Sequence, residues 1–323
     1  MPVTLKIECG SLPPPEKLIK DLCERMEWPF VDCAQFYTAT NEPATQARQW
    51  QPDFVYQIYI PLESTRGIEL WIDNEHCFVK ILPLCCMSDA ALAIELSREL
   101  LQYGGGGIES DDGHSIKSVL ELNGVYNQKW ASDFILESLN GLFGQLTAQP
   151  MEVLTLAGPK RNFYFGYDTA QYLLKQDDGS DDFAWSMAEK LWSMMRRTQF
   201  FFDFPDRSGF KEGTVYALQT PGMEGKMAAY FPANQGILVP RADCLALDGA
   251  KRGELIVIPL DVFQKVCGDF MEASELEILD ELQFALMPMK DARYTKLVQD
   301  LSNYGIDQRV GQESDSLRSI NQD

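Results

Sequence analysis

The chain has 323 residues, of which 48 are Asp or Glu and 28 are Lys or Arg, so its formal charge at neutral pH is -20. This charge repels nucleic-acid phosphates and anionic membrane surfaces and favours a basic partner. Hydrophobic residues make up 45% of the chain, enough to bury a core, which excludes a wholly disordered protein.

The first 150 residues alternate between predicted strands and helices. Apolar residues predict a strand over Val3–Ile7, and the spacing of four apolar residues predicts a helix over 15–27. Further strands are predicted over 54–60, 68–72 and 77–82, and further helices over 88–103 and 132–146. The polar stretch 73–76 predicts a hairpin between two of these strands, and Asn123–Gly124 predicts a tight turn.

The second half contains a similar mixture of elements. Strands are predicted over 151–156, 162–165, 214–219, 226–231, 236–239 and 254–258. Helices are predicted over 182–197, 260–266, 275–286 and 291–304. Ser274 and Glu277 fit a capping box at the start of the third of these helices.

This mixture predicts an α+β fold, in which mixed or antiparallel sheets are covered by helices in two lobes. A chain of this length exceeds the usual size of one core. We predict an N-terminal lobe over 1–150, a C-terminal lobe over 151–307 and a polar tail over 308–323.

Targeting signals and cofactor motifs are not apparent in the sequence. The N-terminus has neither a basic nor an apolar signal region, and no apolar run is long enough to span a bilayer, so we expect a cytoplasmic protein without a membrane partner. The eight cysteines lack the spacing of a disulfide framework or a zinc site, so we expect reduced, mostly buried thiols and neither a metal nor a cofactor.

Two acidic clusters are the candidate partner-binding residues. They comprise Asp111 and Asp112 in the first half and Asp177, Asp178, Asp181 and Asp182 in the second. Neither cluster has the spacing of a calcium loop. The second cluster precedes a predicted helix, where carboxylates cap free backbone N–H groups.

Two other features invite a functional interpretation but have a simpler one. The run Gly104–Gly107 follows a helix and lacks the Lys-Ser or Lys-Thr pair of a phosphate loop, so we interpret it as a helix end and turn. His114 has carboxylate and hydroxyl neighbours, as a general base requires, but no hydrolase motif accompanies it.

Aromatic residues are concentrated around the long helix predicted over 182–197. Trp185 and Trp192 contribute to a wide apolar face, which is typical of a core helix or of a docking surface. The segment Phe200–Phe204 is interpreted in the same two ways, as a buried strand or as an aromatic anchor.

The distributed acidity, the two histidines and the failure of every catalytic template together predict a non-enzymatic binding protein. Its acidic surface would engage a basic protein, as an immunity protein does when it neutralises a toxin. An alternative is that the acidity only maintains solubility.

Three other functions predict different surfaces. A nucleic-acid mimic predicts a continuous acidic stripe, and a hydrolase predicts a concave pocket that contains His114 or clustered acids with raised pKa values. A structural or assembly subunit predicts an exposed apolar patch around Trp185 and Trp192.

Overall fold

The structure is a computed structural model with an α+β fold. It describes residues 1–10, 12–26, 31–36, 50–51, 54–73, 76–104, 106–150, 152–175, 182–218, 222–249 and 254–309, with only the backbone for 32–36 and 306–309. The chain clusters into unit 1, Met1–Phe201, and unit 2, Phe202–Asp323. The predicted boundary near residue 150 falls inside unit 1, because the core of that unit continues from Val3 to Met195.

Unit 1 is built on an antiparallel sheet with the strand order β2-β3-β4-β5-β1-β6-β7. The strands are β1 (Val3–Glu8), β2 (Asp32–Phe36), β3 (Val55–Tyr59), β4 (Ile68–Asp73), β5 (His76–Ile81), β6 (Ile108–Ser110) and β7 (Ser115–Ile116). The predicted hairpin is confirmed: β4 and β5 pair from Ile68 opposite Ile81 to Asp73 opposite His76.

One face of this sheet is covered by helices. The helices of unit 1 are α1 (Pro15–Met26), α2 (Met87–Gly104), α3 (Val119–Val125), α4 (Gln128–Ala148), α5 (Tyr167–Lys175) and α6 (Phe183–Gln199). Alternation along β1 buries Val3, Leu5 and Ile7, and α2 packs against β1, β4 and β5. The intervening side chains of β1, including Lys6 and Glu8, therefore face the opposite side of the sheet.

Unit 2 contains two further sheets. One has the order β11-β12-β14-β15-β18 and the other has the order β10-β13-β17-β16. The strands are β10 (Lys211–Glu212), β11 (Val215–Ala217), β12 (Met227–Phe231), β13 (Ile237–Val239), β14 (Cys244–Asp248), β15 (Glu254–Pro259), β16 (Leu276–Ile278), β17 (Phe284–Leu286) and β18 (Ile306–Arg309). Helices α7 (Leu260–Phe270) and α8 (Asp291–Leu301) contribute to the main core of this unit. The short hairpin β8 (Leu154–Leu156) and β9 (Phe163–Phe165) belongs to unit 1.

Several predicted elements differ from the structure. The helix predicted over 275–286 is wrong, because β16 and β17 form an antiparallel hairpin there. The predicted start of the polar tail at residue 308 is too early, because Gln308 and Arg309 belong to β18 and pair with β15. Asn123 and Gly124 lie in α3 and do not form a separate turn. Phe201–Asp203 forms a 3-10 turn in place of a strand.

Candidate functional site

The first acidic cluster lies in a hairpin at the edge of the unit 1 sheet. Strands β6 and β7 pair through Ile108 and Ile116, and β6 also pairs with β1. Asp111, Asp112 and Gly113 form the connecting turn, and Gly113 has a φ of +93°, a left-handed conformation that favours glycine. The turn therefore presents two consecutive aspartates to solvent at a defined position.

Hydrogen bonds orient both aspartates of this turn. The Thr4 backbone N–H donates to Oδ1 of Asp111 across 2.9 Å, and the Asp111 N–H donates back to the Thr4 carbonyl across 3.1 Å. The Tyr126 hydroxyl donates to Oδ1 of Asp112 across 2.8 Å, and the Ser110 hydroxyl donates to the same oxygen. Both side chains are nevertheless exposed. Each carboxylate can thus engage a partner from a position already set by the fold.

Tyr126 connects this turn to the core of unit 1. Its ring is buried and meets Trp130 edge to face, with 4.7 Å between the centroids. Burial raises the pKa of Tyr126 well above its ordinary value, so its hydroxyl stays protonated and remains a donor to Asp112. Tyr126 could not be identified from the sequence, because a tyrosine 14 positions from its acceptor carries no local signal.

His114 lies in the same hairpin and is exposed. Its ring contacts that of Tyr126 edge to face, with 6.0 Å between the centroids, and its backbone N–H donates to the Ser110 hydroxyl oxygen across 3.0 Å. These contacts fit a surface residue of a hairpin. They do not place His114 in the neighbouring cleft.

The second acidic cluster is described only in part. Asp177, Asp178 and Asp181 lie outside the described residues. Asp182 is exposed and occupies the N-cap position of α6, but its side chain makes no capping hydrogen bond. The capping role predicted for this residue is therefore wrong, and its carboxylate faces solvent.

A cleft of about 470 Å³ adjoins the acidic hairpin in unit 1. It is lined by Lys6, Glu8, His76, Gly106, Gly107, Ile108, Glu109, Ser115, Ile116 and Lys117. Lys6 and Glu109 are direct partners across β1 and β6, and their charged groups lie 3.8 Å apart. The cleft contains His76 and not His114. It is therefore not the pocket around His114 that the hydrolase alternative predicts.

The lining of the cleft holds two carboxylates and two lysines, and the neighbouring turn and α3 add three further carboxylates. The five acidic side chains are Glu8, Glu109, Asp111, Asp112 and Glu121, and the two basic ones are Lys6 and Lys117. Glu121 joins this set because its carboxylate accepts a hydrogen bond from the Lys117 backbone N–H at 2.7 Å. The local excess is negative, but the two lysines interrupt the continuous acidic stripe that a nucleic-acid mimic requires.

Gly106 and Gly107 contribute to the wall of this cleft, and Gly104 lies at the end of α2. A side chain at Gly104 would overlap the Glu8 carbonyl oxygen and lie 2.9 Å from Cys9 Cα, and a side chain at Gly106 would overlap the Glu8 side chain. The glycines therefore allow the end of α2 to pass directly over the end of β1. The interpretation as a helix end holds for Gly104, and close backbone approach is the additional reason for glycine here.

A buried polar cluster lies at the start of α2 and was missed in the sequence. Asp89 is fully buried, and its Oδ2 accepts hydrogen bonds from the backbone N–H groups of Thr65 and Arg66 at 3.0 Å and of Cys86 at 3.3 Å. Arg66 is also buried and donates to the carbonyls of Ala157 at 2.5 Å and Pro83 at 3.1 Å. This closed arrangement joins loops and offers no access to a substrate.

The aromatic helix face is used inside unit 1. Trp192 is buried, and Trp185 packs against it edge to face with 5.5 Å between the centroids. Phe200 and Phe201 are buried as well. The core interpretation is thus confirmed for these residues, and the exposed patch predicted for an assembly subunit does not occur around Trp192.

Within the described residues, no group of His, Cys, Asp and Glu side chains is arranged to hold a metal ion. Among the same residues, no helix combines the length and apolar character needed to cross a membrane.

Comparison of the chain with protein-family models, curated proteins and solved structures finds no match. The acidic hairpin and its adjoining cleft are therefore the candidate interaction site on geometric grounds.

Proposed function

We propose that this chain is a non-enzymatic cytoplasmic binding protein that engages a basic protein through the β6–β7 hairpin, in the manner of an immunity protein that neutralises a toxin. The observation that carries the proposal is the pair of exposed, hydrogen-bonded carboxylates of Asp111 and Asp112. A side chain that is already oriented loses less conformational entropy when it binds.

The charge of the whole chain supports the same partner. A formal charge of -20 attracts a basic protein over a distance and accelerates its encounter. Two carboxylates and two lysines line the cleft, and the carboxylates of Asp111, Asp112 and Glu121 beside it give a local acidic excess that favours Lys or Arg side chains. Steric occlusion of the partner's own site would follow from docking.

The adjoining cleft favours binding of a specific protein over non-selective attraction of small cations. A concave surface of about 470 Å³ can enclose a side chain of the partner, whereas a flat acidic surface attracts cations without selecting among them. Ile108 and Ile116 lie beneath this lining and are themselves buried. Charge would therefore control the rate of association, and the contacts in the cleft would slow dissociation.

Affinity capture from the native host at low and high salt, followed by mass spectrometry, tests the proposal. We expect one basic protein at low salt and much less of it at high salt, because salt screens exposed charges. The double variant Asp111→Asn/Asp112→Asn should weaken capture about tenfold, since two surface charge pairs contribute about 0.7 kcal/mol each. Asparagine keeps an acceptor for the Thr4 N–H and the Tyr126 hydroxyl, so the hairpin should persist.

The matched control is Asp133→Asn/Glu137→Gln, which removes two exposed carboxylates from α4. It should capture the partner as the unchanged protein does. Equal loss of capture in both double variants would assign the effect to net charge alone and reject the hairpin as the binding site. Failure to retain any basic protein at either salt would reject the binding function.

A further inference from the structure

The unit 1 sheet carries aromatic side chains on the face opposite its helices. Successive residues of a strand alternate between the two faces, so Leu70 and Val79 are buried in the main core while Trp71 and Phe78 point the other way. Trp71 and Phe78 are direct partners across β4 and β5, and both are partly exposed. They lie outside the main core of unit 1, so core packing does not explain these two large rings.

Three rings form a continuous row on this face. The rings of Trp71 and Phe78 are stacked, with 5.0 Å between the centroids and an interplanar angle of 2°. The ring of His76 follows on β5, and its centroid lies 6.4 Å from that of Phe78. His76 also lines the cleft. The aromatic row of Trp71, Phe78 and His76 therefore extends from the cleft onto the adjoining sheet surface.

Carboxylates lie on both sides of the aromatic row. Glu8 of β1 and Asp73 of β4 are the register partners of His76, one on each neighbouring strand. Both side chains are exposed. Asp73 is also two residues from Trp71, so its side chain is on the same face of the same strand. A cation placed on the row can therefore reach a carboxylate from either strand.

The lysines Lys6 and Lys80 of this face do not cancel that negative charge. Lys6 lies 3.8 Å from the Glu109 carboxylate, and Lys80 donates a hydrogen bond to Glu69 across 2.9 Å. Each lysine is thus matched by a carboxylate of its own. The two exposed carboxylates beside His76 leave a local negative excess at the aromatic row.

An arginine side chain fits both features of this surface. Its guanidinium is planar, stacks on aromatic rings and pairs with carboxylates through two parallel hydrogen bonds. The ammonium group of lysine is a strongly hydrated point charge that stacks poorly. Nucleic-acid bases also stack on aromatic rings, but the surrounding carboxylates repel their phosphates.

We propose that the aromatic row binds an arginine side chain of the basic partner, with the guanidinium stacked on the row and paired with Glu8 or Asp73. This inference deepens the binding function proposed above and rests on it for the class of partner. The arginine site itself can be tested with peptides, without the natural partner.

Calorimetric titration of the full chain with hexaarginine and with hexalysine tests this site. The two peptides carry the same charge, so net charge alone gives them equal affinity. We expect hexaarginine to bind about three- to fivefold more tightly, which is the contribution expected of stacking at an exposed site. Trp71→Leu should remove most of this preference. The matched control Tyr172→Leu, which removes an exposed ring from α5, should retain it.

Indole NMR signals give a second measurement on the unchanged protein, which decides the question if Trp71→Leu does not fold. The chain has six tryptophans, and Trp71→Phe assigns the Trp71 indole N–H through the loss of one signal. That signal should shift with hexaarginine and shift less with hexalysine. Equal affinity for the two peptides, a preference that survives in Trp71→Leu, or an unmoved Trp71 signal would overturn the proposal.

The hairpin variant separates this inference from the proposed function. Asp111→Asn/Asp112→Asn should weaken binding of both peptides by the same factor and leave the arginine preference intact. If that variant has no effect while Trp71→Leu loses the preference, the hairpin is rejected and the arginine site stands. If the hairpin variant weakens binding while Trp71→Leu keeps the preference, the arginine site is rejected and the hairpin stands.

Discussion

At the residue scale, Asp89 is a side chain on which several buried hydrogen bonds converge. Its Oδ2 atom accepts hydrogen bonds from three backbone N–H groups and from the Thr65 hydroxyl. We expect Asp89→Ala to reduce the free energy of unfolding by about 3–5 kcal/mol, because buried donors and the nearby Arg66 charge lose their partner. Urea unfolding followed by circular dichroism measures this change.

Asp89→Asn is the informative companion to that substitution. It keeps one acceptor oxygen but removes the charge, so a smaller loss of about 1–3 kcal/mol is expected. If both variants were as stable as the unchanged protein, the cluster would not hold the loops at the start of α2 in place.

Individual site residues were predictable where the sequence places their functional groups side by side. Asp111 and Asp112 are consecutive, and their exposure follows from a polar turn with glycine. Asp89 was not predictable as a buried centre, because its donors at Thr65 and Arg66 are more than 20 residues away and only the fold brings them to the start of α2. The role of Gly106 was equally hidden, since the Glu8 side chain that excludes a larger residue is far away in sequence.

At the scale of elements, an ion pair connects Glu275, the residue immediately before β16, to Arg293 of α8 in unit 2. The Arg293 guanidinium hydrogen bonds to both carboxylate oxygens of Glu275 and lowers the pKa of that carboxyl. A lowered folded-state pKa stabilises the protein above the ordinary glutamate value of about 4.3, and this contribution is lost as the pH falls through the folded value.

We therefore expect the urea midpoint of unit 2 to decrease between pH 5 and strongly acidic pH, and Glu275→Gln to flatten that decrease. Tryptophan is absent from this unit, so tyrosine fluorescence or amide NMR signals of its strands provide the measurement. Asp261→Asn, at an exposed carboxylate of α7, should leave the pH dependence unchanged. A Glu275→Gln variant with the full acid sensitivity would show that other carboxylates control it.

Elements with a clear period were predicted well, and short strands were not. The β4–β5 hairpin and α6 follow from alternating and helical spacing. Residues 275–286 also show helical spacing, but Leu276–Ile278 and Phe284–Leu286 pair with each other, and β17 pairs with β13 as well. Pairing with β13, which is distant in sequence, stabilises β17. The local sequence of residues 275–286 does not indicate this pairing.

At the scale of the whole molecule, the main cores are confined to single units. The core cluster of unit 1 ends at Met195, and that of unit 2 begins at Ala229. We expect a fragment of residues 1–201 to fold on its own with a cooperative transition, and a fragment of residues 1–150 to lack one. The shorter fragment removes α6 and the Ala157 carbonyl that accepts from Arg66.

Near-ultraviolet circular dichroism and dispersed amide NMR signals distinguish the two fragments. A well-folded 1–150 fragment would support the domain boundary predicted from the sequence. The α+β class was accessible from the sequence because it depends on the mixture of elements, whereas the boundary depends on which of them share a core.

The Arg66 side chain has a consequence for the order of events during synthesis. Its guanidinium is buried and donates to a carbonyl 91 residues further along the chain. A ribosome must therefore release residue 157 before the cation in the connection between β3 and β4 acquires its full set of acceptors. Because burial of this guanidinium without that acceptor is costly, we expect final closure of the N-terminal unit only after its first strands have long emerged.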